Sequence, residues 1–215
     1  MQPDLVFSLL VLFISVILHE VAHGYMADYL GDPTARLQGR LTLNPLSHVD
    51  PVGTILLPLL LWMGQGFGAH PFLIGYAKPV PYNPHNLPGK HDELLVAGAG
   101  PATNLALALL FGLLIRFGGV AMTPELLSAF ATIVSVNLVL AIFNLIPIPP
   151  LDGSKVLAGI LPGGLAHAYA HFRLNFERFG VLSGTLFILI IFYILSPYFY
   201  LLLQWLFQLI TGVGM

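Results

Sequence analysis

Residues 5–30, Leu5-Val-Phe-Ser-Leu-Leu-Val-Leu-Phe-Ile-Ser-Val-Ile-Leu-His19-Glu20-Val-Ala-His23-Gly-Tyr-Met-Ala-Asp-Tyr-Leu30, decide how the chain is read. The run is long enough to cross a bilayer, which takes about 20 apolar residues. Yet it carries His19, Glu20 and His23 near its end. Ionisable groups in such a run are costly and mark function by default. Their spacing is H-E-x-x-H. Residues i and i+4 share one helix face, so both imidazoles can reach one ion. Glu20 lies about 100° round the helix, where it reaches a water on that ion and not its inner shell.

The rest of the composition agrees with a membrane chain. Of 215 residues, 57% are hydrophobic and 8% charged, and the mean hydropathy is +0.86. A soluble domain carries about 25% charged residues, so a soluble globular or disordered chain is excluded. Nucleic acid is excluded as a partner because 8 basic and 10 acidic residues leave no basic face. With no cysteine, disulfides, thiolate metal sites and cysteine nucleophiles are excluded. The first run lacks a basic cluster before it and a small-residue cleavage site after it. It is expected to be a retained transmembrane helix, not a signal peptide.

Four further apolar runs follow: Val52 to Gly68, which holds Pro58; Leu94 to Gly119; Leu126 to Ile148; and Val181 to Ile210. The last is interrupted by Ser196-Pro197 and predicts one crossing followed by an interfacial helix, or a hairpin. Residues 31–51 and 69–91 are rich in Gly, Pro, Asn and His and read as turns and extended backbone. Residues 149–180 open with Pro and Gly and continue as an amphipathic helix carrying Arg173, Glu177 and Arg178. The expected fold is an α-helical polytopic membrane protein, one membrane-embedded domain over residues 1–215. Three transmembrane helices form its core. A re-entrant or hairpin segment with short extended strands follows the first helix, and one or two membrane helices close the chain.

A catalytic zinc takes three protein ligands and keeps one open position. The extended pattern H-E-x-x-H-x-x-G-x-x-H fails, because Met26 and Tyr29 occupy its Gly and His positions. Among the glutamates, Glu93 opens a helix, Glu125 lies in a loop and Glu177 sits beside arginines. Asp152 is the better candidate, in Asn144-Leu-Ile-Pro147-Ile-Pro149-Pro150-Leu151-Asp152-Gly153. The prolines and glycine there break the helix and can aim a carboxylate back at the membrane. All ligands must share one membrane side, so the chain crosses an even number of times between residues 30 and 148. The Val52–Gly68 run then cannot span alone. This topology puts Arg36, Arg40, Lys78, Lys90, Lys155, Arg173 and Arg178 on one side and Arg116 on the other. The positive-inside rule makes the ligand side cytoplasmic and the N-terminus external, in the cell membrane.

These motifs resemble the site-2 protease family of intramembrane zinc metalloproteases. The resemblance rests on His19-Glu-x-x-His23 and Asn144-x-x-Pro147-x-Pro149-x-x-Asp152-Gly153. It extends to the stretches from Gly39 to Gly53 and from Gly75 to Pro84, and to Ala99-Gly100-Pro101-Ala-Thr-Asn104. It covers about residues 10–160 and is greatest to small bacterial and archaeal members without PDZ or CBS modules; the chain differs in placing no transmembrane helix before the H-E-x-x-H helix. It implies one Zn2+ per chain, ligation by His19, His23 and Asp152, and Glu20 as general base. It also implies membrane-protein substrates with a transmembrane segment, with a regulatory partner or an oligomer as further options.

A transmembrane substrate must unwind locally to expose its scissile bond. The Phe72–Tyr82 segment is the candidate strand for pairing with it. Asn104, Asn137 and Asn144 lie in apolar runs and have two readings: hydrogen bonding between helices, or contact with substrate backbone or oxyanion. His167 and His171 repeat the i, i+4 spacing with no acid between them and read as interfacial; His48 with Asp50 reads as turn chemistry. The functional alternatives are a membrane metal transporter and an inactive zinc-binding membrane protein. Glu20 separates them, because only a hydrolase needs it.

Overall fold

The structure, a computed structural model, describes residues 5–49, 78–178 and 180–214. Seven helices are described: α1 (Leu5–Tyr29), the single turn α2 (Thr34–Leu37), α3 (Asp92–Gly118), α4 (Pro124–Asn144), α5 (Asp152–Ile160), α6 (Gly163–Arg178) and α7 (Gly180–Thr211). Four of these are long and apolar enough to cross a membrane: α1, α3, α4, and α7 over Tyr193–Thr211. Each keeps large apolar side chains on its outer surface, such as Leu10, Leu110, Leu126 and Trp205. A helix apolar all round fits a lipid surround. No strand occurs among the described residues.

The ends of the helices follow from local chemistry. At α3, Asp92 and Glu93 occupy the first turn, and the Asp92 carboxylate accepts the Gly89 N–H at 2.7 Å. At α4, Thr123 caps the Leu126 N–H and Pro124 fills the first helical position. α4 stops at Asn144 because Pro147, Pro149 and Pro150 cannot continue it. The chain turns and restarts as α5 at Asp152. The Tyr169 hydroxyl of α6 donates to the Pro147 carbonyl at 2.9 Å and so steadies this turn.

Helix α3 packs against α1, α4, α5 and α7, and α1 against α4. The core between α3, α4 and α7 is apolar: Ala108, Ile115, Val134, Leu138, Leu203, Phe207 and Ile210. The sequence predicts an interruption at Ser196-Pro197, but α7 runs through it as one helix. Pro197 cannot donate to the Tyr193 carbonyl four residues back. The Ser196 hydroxyl donates to that carbonyl instead, at 2.8 Å. One C-terminal membrane helix replaces the hairpin alternative.

The Val52–Gly68 run, expected to be re-entrant or a hairpin, lies outside the described residues. So do residues 72–77 of the candidate strand. Its remainder, residues 78–82, takes no regular secondary structure. This extended piece lies across the end of α1. The Arg40 guanidinium donates to the Lys78 and Pro79 carbonyls, at 2.9 and 3.2 Å. Asp32, fully buried, accepts the Asn83 N–H at 2.6 Å and the Asn86 side-chain amide at 2.7 Å. Gly24 of α1 makes room for it: a Cβ there would stand 2.7 Å from Val80.

Candidate metal centre

His19 and His23 project from α1 toward α3, and Asp152 reaches them from the first turn of α5. The His19 Nε2–His23 Nε2 distance is 3.0 Å. Asp152 Oδ2 lies 3.1 Å from His19 Nε2 and 3.3 Å from His23 Nε2. Both histidines are buried. Among the described residues these three form the one cluster of potential metal ligands.

The other ring nitrogens assign the protons. His19 Nδ1 lies 2.6 Å from Asn104 Oδ1, and His23 Nδ1 lies 2.7 Å from the Val96 carbonyl. Asn104 must present its oxygen to His19, because its amide nitrogen donates to the Ser15 carbonyl at 3.3 Å and to Asn137 Oδ1 at 2.9 Å. Asn137 in turn donates to the Ser15 hydroxyl at 3.0 Å and to the Ile133 carbonyl at 2.9 Å. Both imidazoles therefore carry their proton at Nδ1 and turn an Nε2 lone pair inward. Two lone pairs and a carboxylate oxygen converge, and they repel unless a cation lies among them.

The donor set fits zinc. Bonds of about 2.0–2.1 Å in tetrahedral geometry separate ligand atoms by about 3.3–3.4 Å, so the observed triangle needs to open by only a few tenths of an ångström. Two histidines, one carboxylate and an open fourth position make a catalytic rather than a closed structural set. Acceptors behind each Nδ1–H complete it by fixing tautomer and ring orientation.

Glu20 stands beside this triangle, and its carboxylate accepts the Val80 N–H at 2.9 Å. A cavity of about 250 Å³ opens over the group, lined by His19, Glu20, His23, Asp152, Asn144 and Lys155 and by Pro79, Val80 and Tyr82. Asn144 is on this wall, its amide nitrogen donating to the Leu140 carbonyl at 2.9 Å. Asn104 and Asn137 are fully buried behind the histidines. His48 is also buried, and its Nε2–H donates to the Thr42 carbonyl at 2.8 Å; Asp50, the partner expected for it, lies outside the described residues. His167 and His171 are exposed on α6, away from this centre.

The sequence reading gave Gly100, Val80, Ser15, Lys155 and Tyr82 no place around the metal centre. Gly100 is the most constrained of them. A Cβ there would stand 2.6 Å from His19 Nε2 and would collide with His23 Nε2. The Gly100-Pro101 pair was visible in the sequence, but its meaning depends on which helix crosses α1.

The profile of peptidase family M50 matches residues 117–191, which include Asp152. A relative from Bacillus subtilis, "Putative zinc metalloprotease YwhC", is 41% identical over 177 residues. The match covers 77% of this chain and 72% of the relative. The chain belongs to peptidase family M50. Two further relatives bear the name "Putative zinc metalloprotease Rip2". The one from Mycolicibacterium smegmatis is 34% identical over 144 residues, covering 66% of this chain and 52% of its own. The one from Mycobacterium tuberculosis strain Erdman is 29% identical over 211 residues, covering 94% of this chain and 72% of its own. No solved structure gives a significant match to the chain. As a member of M50, the site-2 protease family, the chain is a zinc metalloprotease with membrane-length helices.

Proposed function

We propose that the chain is an intramembrane endopeptidase that hydrolyses peptide bonds within or near transmembrane segments of membrane proteins. It uses one zinc held by His19, His23 and Asp152. The observation that carries this reading is the convergence of three lone-pair atoms within 3.0–3.3 Å while both Nδ1 atoms are committed elsewhere. Zinc bound there supplies a polarised scissile carbonyl and a water whose pKa falls to about 7.

The chain's own groups do the rest. Glu20 accepts the proton of the attacking water and passes it to the leaving amine. The Val80 N–H holds the carboxylate in place for both transfers. Asn104 and Asn137 orient His19; their amide groups are taken up inside the protein, which disfavours direct contact with substrate. Asn144 reaches the cavity and remains the candidate to contact the substrate backbone or the oxyanion. The extended residues 78–82 form one wall of the same cavity, which supports their pairing with an unwound substrate. The site end faces the cytoplasm of a cell-membrane protein, a placement supported by Arg36, Arg40, Lys78, Lys90, Lys155 and Arg173 at that end and Arg116 at the other.

The test pairs zinc content with cleavage of a single-span substrate. Glu20→Gln is expected to keep about one zinc and lose cleavage by at least ~100-fold, the order of general-base catalysis. Asp152→Ala is expected to lose both. Full cleavage by Glu20→Gln overturns the base assignment. Retention of zinc and activity by Asp152→Ala overturns the ligand set.

A further inference from the structure

The proposed chemistry leaves one charged group of the cavity without a task. Lys155 lies three residues after Asp152 in α5, on the same helix face. It lines the cavity together with Glu20 and the three proposed ligands. Its ammonium sits over the Tyr82 ring, 5.0 Å from the centroid. Among the described residues it forms no ion pair.

The charge balance makes this informative. Glu20 accepts the Val80 N–H, and Asp152 Oδ2 converges with the two histidine Nε2 atoms on the proposed metal position. With a divalent ion in place these two carboxylates balance it. Lys155 then carries the unbalanced charge of a partly enclosed cleft, where low dielectric strengthens its pull on an anion. An exposed lysine would extend its ammonium into water, but this one is laid against a ring on the opposite wall. That ring is itself held. Its neighbour Asn83 donates to buried Asp32, and Val80 two residues earlier donates to Glu20. A cation–π contact fixes the ammonium without neutralising it, so an entering carboxylate can take it over.

We propose that Lys155, positioned by Tyr82, is a specificity residue that recognises a side-chain carboxylate close to the scissile bond, so that the preferred substrates are acidic at that position. This rests on the metal-centre reading, because the carboxylate is placed relative to that centre. A merely structural lysine would brace α5 against residues 78–82 and affect every substrate alike.

Binding without turnover separates these cases. Single-span peptides carrying one Glu, Gln or Lys, walked through the positions flanking the cleavage site, are bound to the full chain in detergent, in a Glu20→Gln background. At one position the Glu peptide is expected to bind at least ~10-fold tighter than the Lys peptide, the size of a discriminating polar contact in a partly desolvated site. The ratio should fall to about one with Lys155→Gln and invert with Lys155→Glu, while Tyr82→Phe, which keeps the ring, should preserve it. An unchanged ratio in all variants overturns the proposal. So does a preference that appears only in phosphatidylglycerol vesicles and not in detergent or zwitterionic vesicles, because the ammonium then serves a lipid headgroup. Failure of wild type to cleave the neutral peptide would instead count against the protease reading, and the binding ratios would stand apart from it.

Discussion

Helix α3 carries two close-packed glycines twelve residues apart, and their surroundings differ in kind. Gly100 faces the imidazoles of His19 and His23; Gly112 faces Ile210 of α7. The site end is polar, and a chain of hydrogen bonds links Ser15 through Asn137 and Asn104 to His19. The far end is held by dispersion among Ala108, Ile115, Val134, Phe207 and Ile210. It also leaves an open cavity of about 620 Å³ bordered by Ser8, Leu127, Val136 and Phe207. A buried polar network is costly to break next to the metal, because an unsatisfied group keeps its desolvation cost. An apolar contact can yield by degrees. One end is built for geometry and the other for cohesion.

Making the same substitution at both glycines breaks the comparison most sharply. Gly100→Ala forces a methyl into the space of both Nε2 atoms. It is expected to abolish zinc retention and to lower cleavage by at least ~100-fold, since a displacement of about 1 Å at a reacting centre costs that much. Helix content and thermal midpoint in detergent should change little, because alanine favours helix over glycine. Gly112→Ala should do the reverse. Ile210 must move, at a cost of about 1–3 kcal/mol of stability, while zinc content stays whole. Loss of zinc from Gly112→Ala, or full zinc in Gly100→Ala, would show that the two ends are not separable.

The polar chain itself should grade with distance from the metal. Asn104→Leu removes the acceptor behind His19 Nδ1–H and is expected to weaken zinc binding 10–100-fold, the usual cost of losing such a partner. Asn137→Leu leaves His19 bonded and removes the support that Asn137 gives Asn104 and the Ser15 hydroxyl. Its effect should be near 0.6 kcal/mol, that of an average hydrogen bond between membrane helices. Competition with a chromogenic chelator measures both. Equal losses would mean that the chain acts as one unit.

The same contrast explains what could be read without a structure. His19, Glu20 and His23 are legible because helix periodicity alone places them. Asp152 is legible because prolines and a glycine isolate one carboxylate just after an apolar run. The membrane helices α1, α3 and α4 are legible from hydropathy. What lies between segments is not. Nothing in the sequence says that Gly100 faces the histidines, that Val80 reaches Glu20, or that Ser15 and Asn137 share one network across three helices. Pro197 misled because its rescue is a side-chain event: the Ser196 hydroxyl satisfies the carbonyl that the proline abandons. The asparagines were legible as buried amides, but their partners had to be seen.

The smallest expected effect is at the rim of the site, where Asp32 holds residues 83–86 against the end of α1. Burial would raise its carboxyl, but bonds from Thr34, Asn86 and Asn83 outweigh burial and lower it below the ordinary 3.8. A depressed carboxylate contributes stability that is complete above the unfolded value and is lost as the pH falls through the folded one. Hydrogen exchange at the Asn83 amide should therefore be protected at neutral pH and released only below about pH 4. Asp32→Asn should weaken that protection at neutral pH by roughly tenfold, the loss of a charge-assisted bond. Cleavage should fall only a few-fold, because Asp32 acts on Glu20 through four residues of backbone and not directly. The Leu138 amide, in the apolar core of α4, should not respond. If acid loosened both alike, the rim would not be an independently anchored piece, and the division between a site built for geometry and a core built for cohesion would fail at its outer edge.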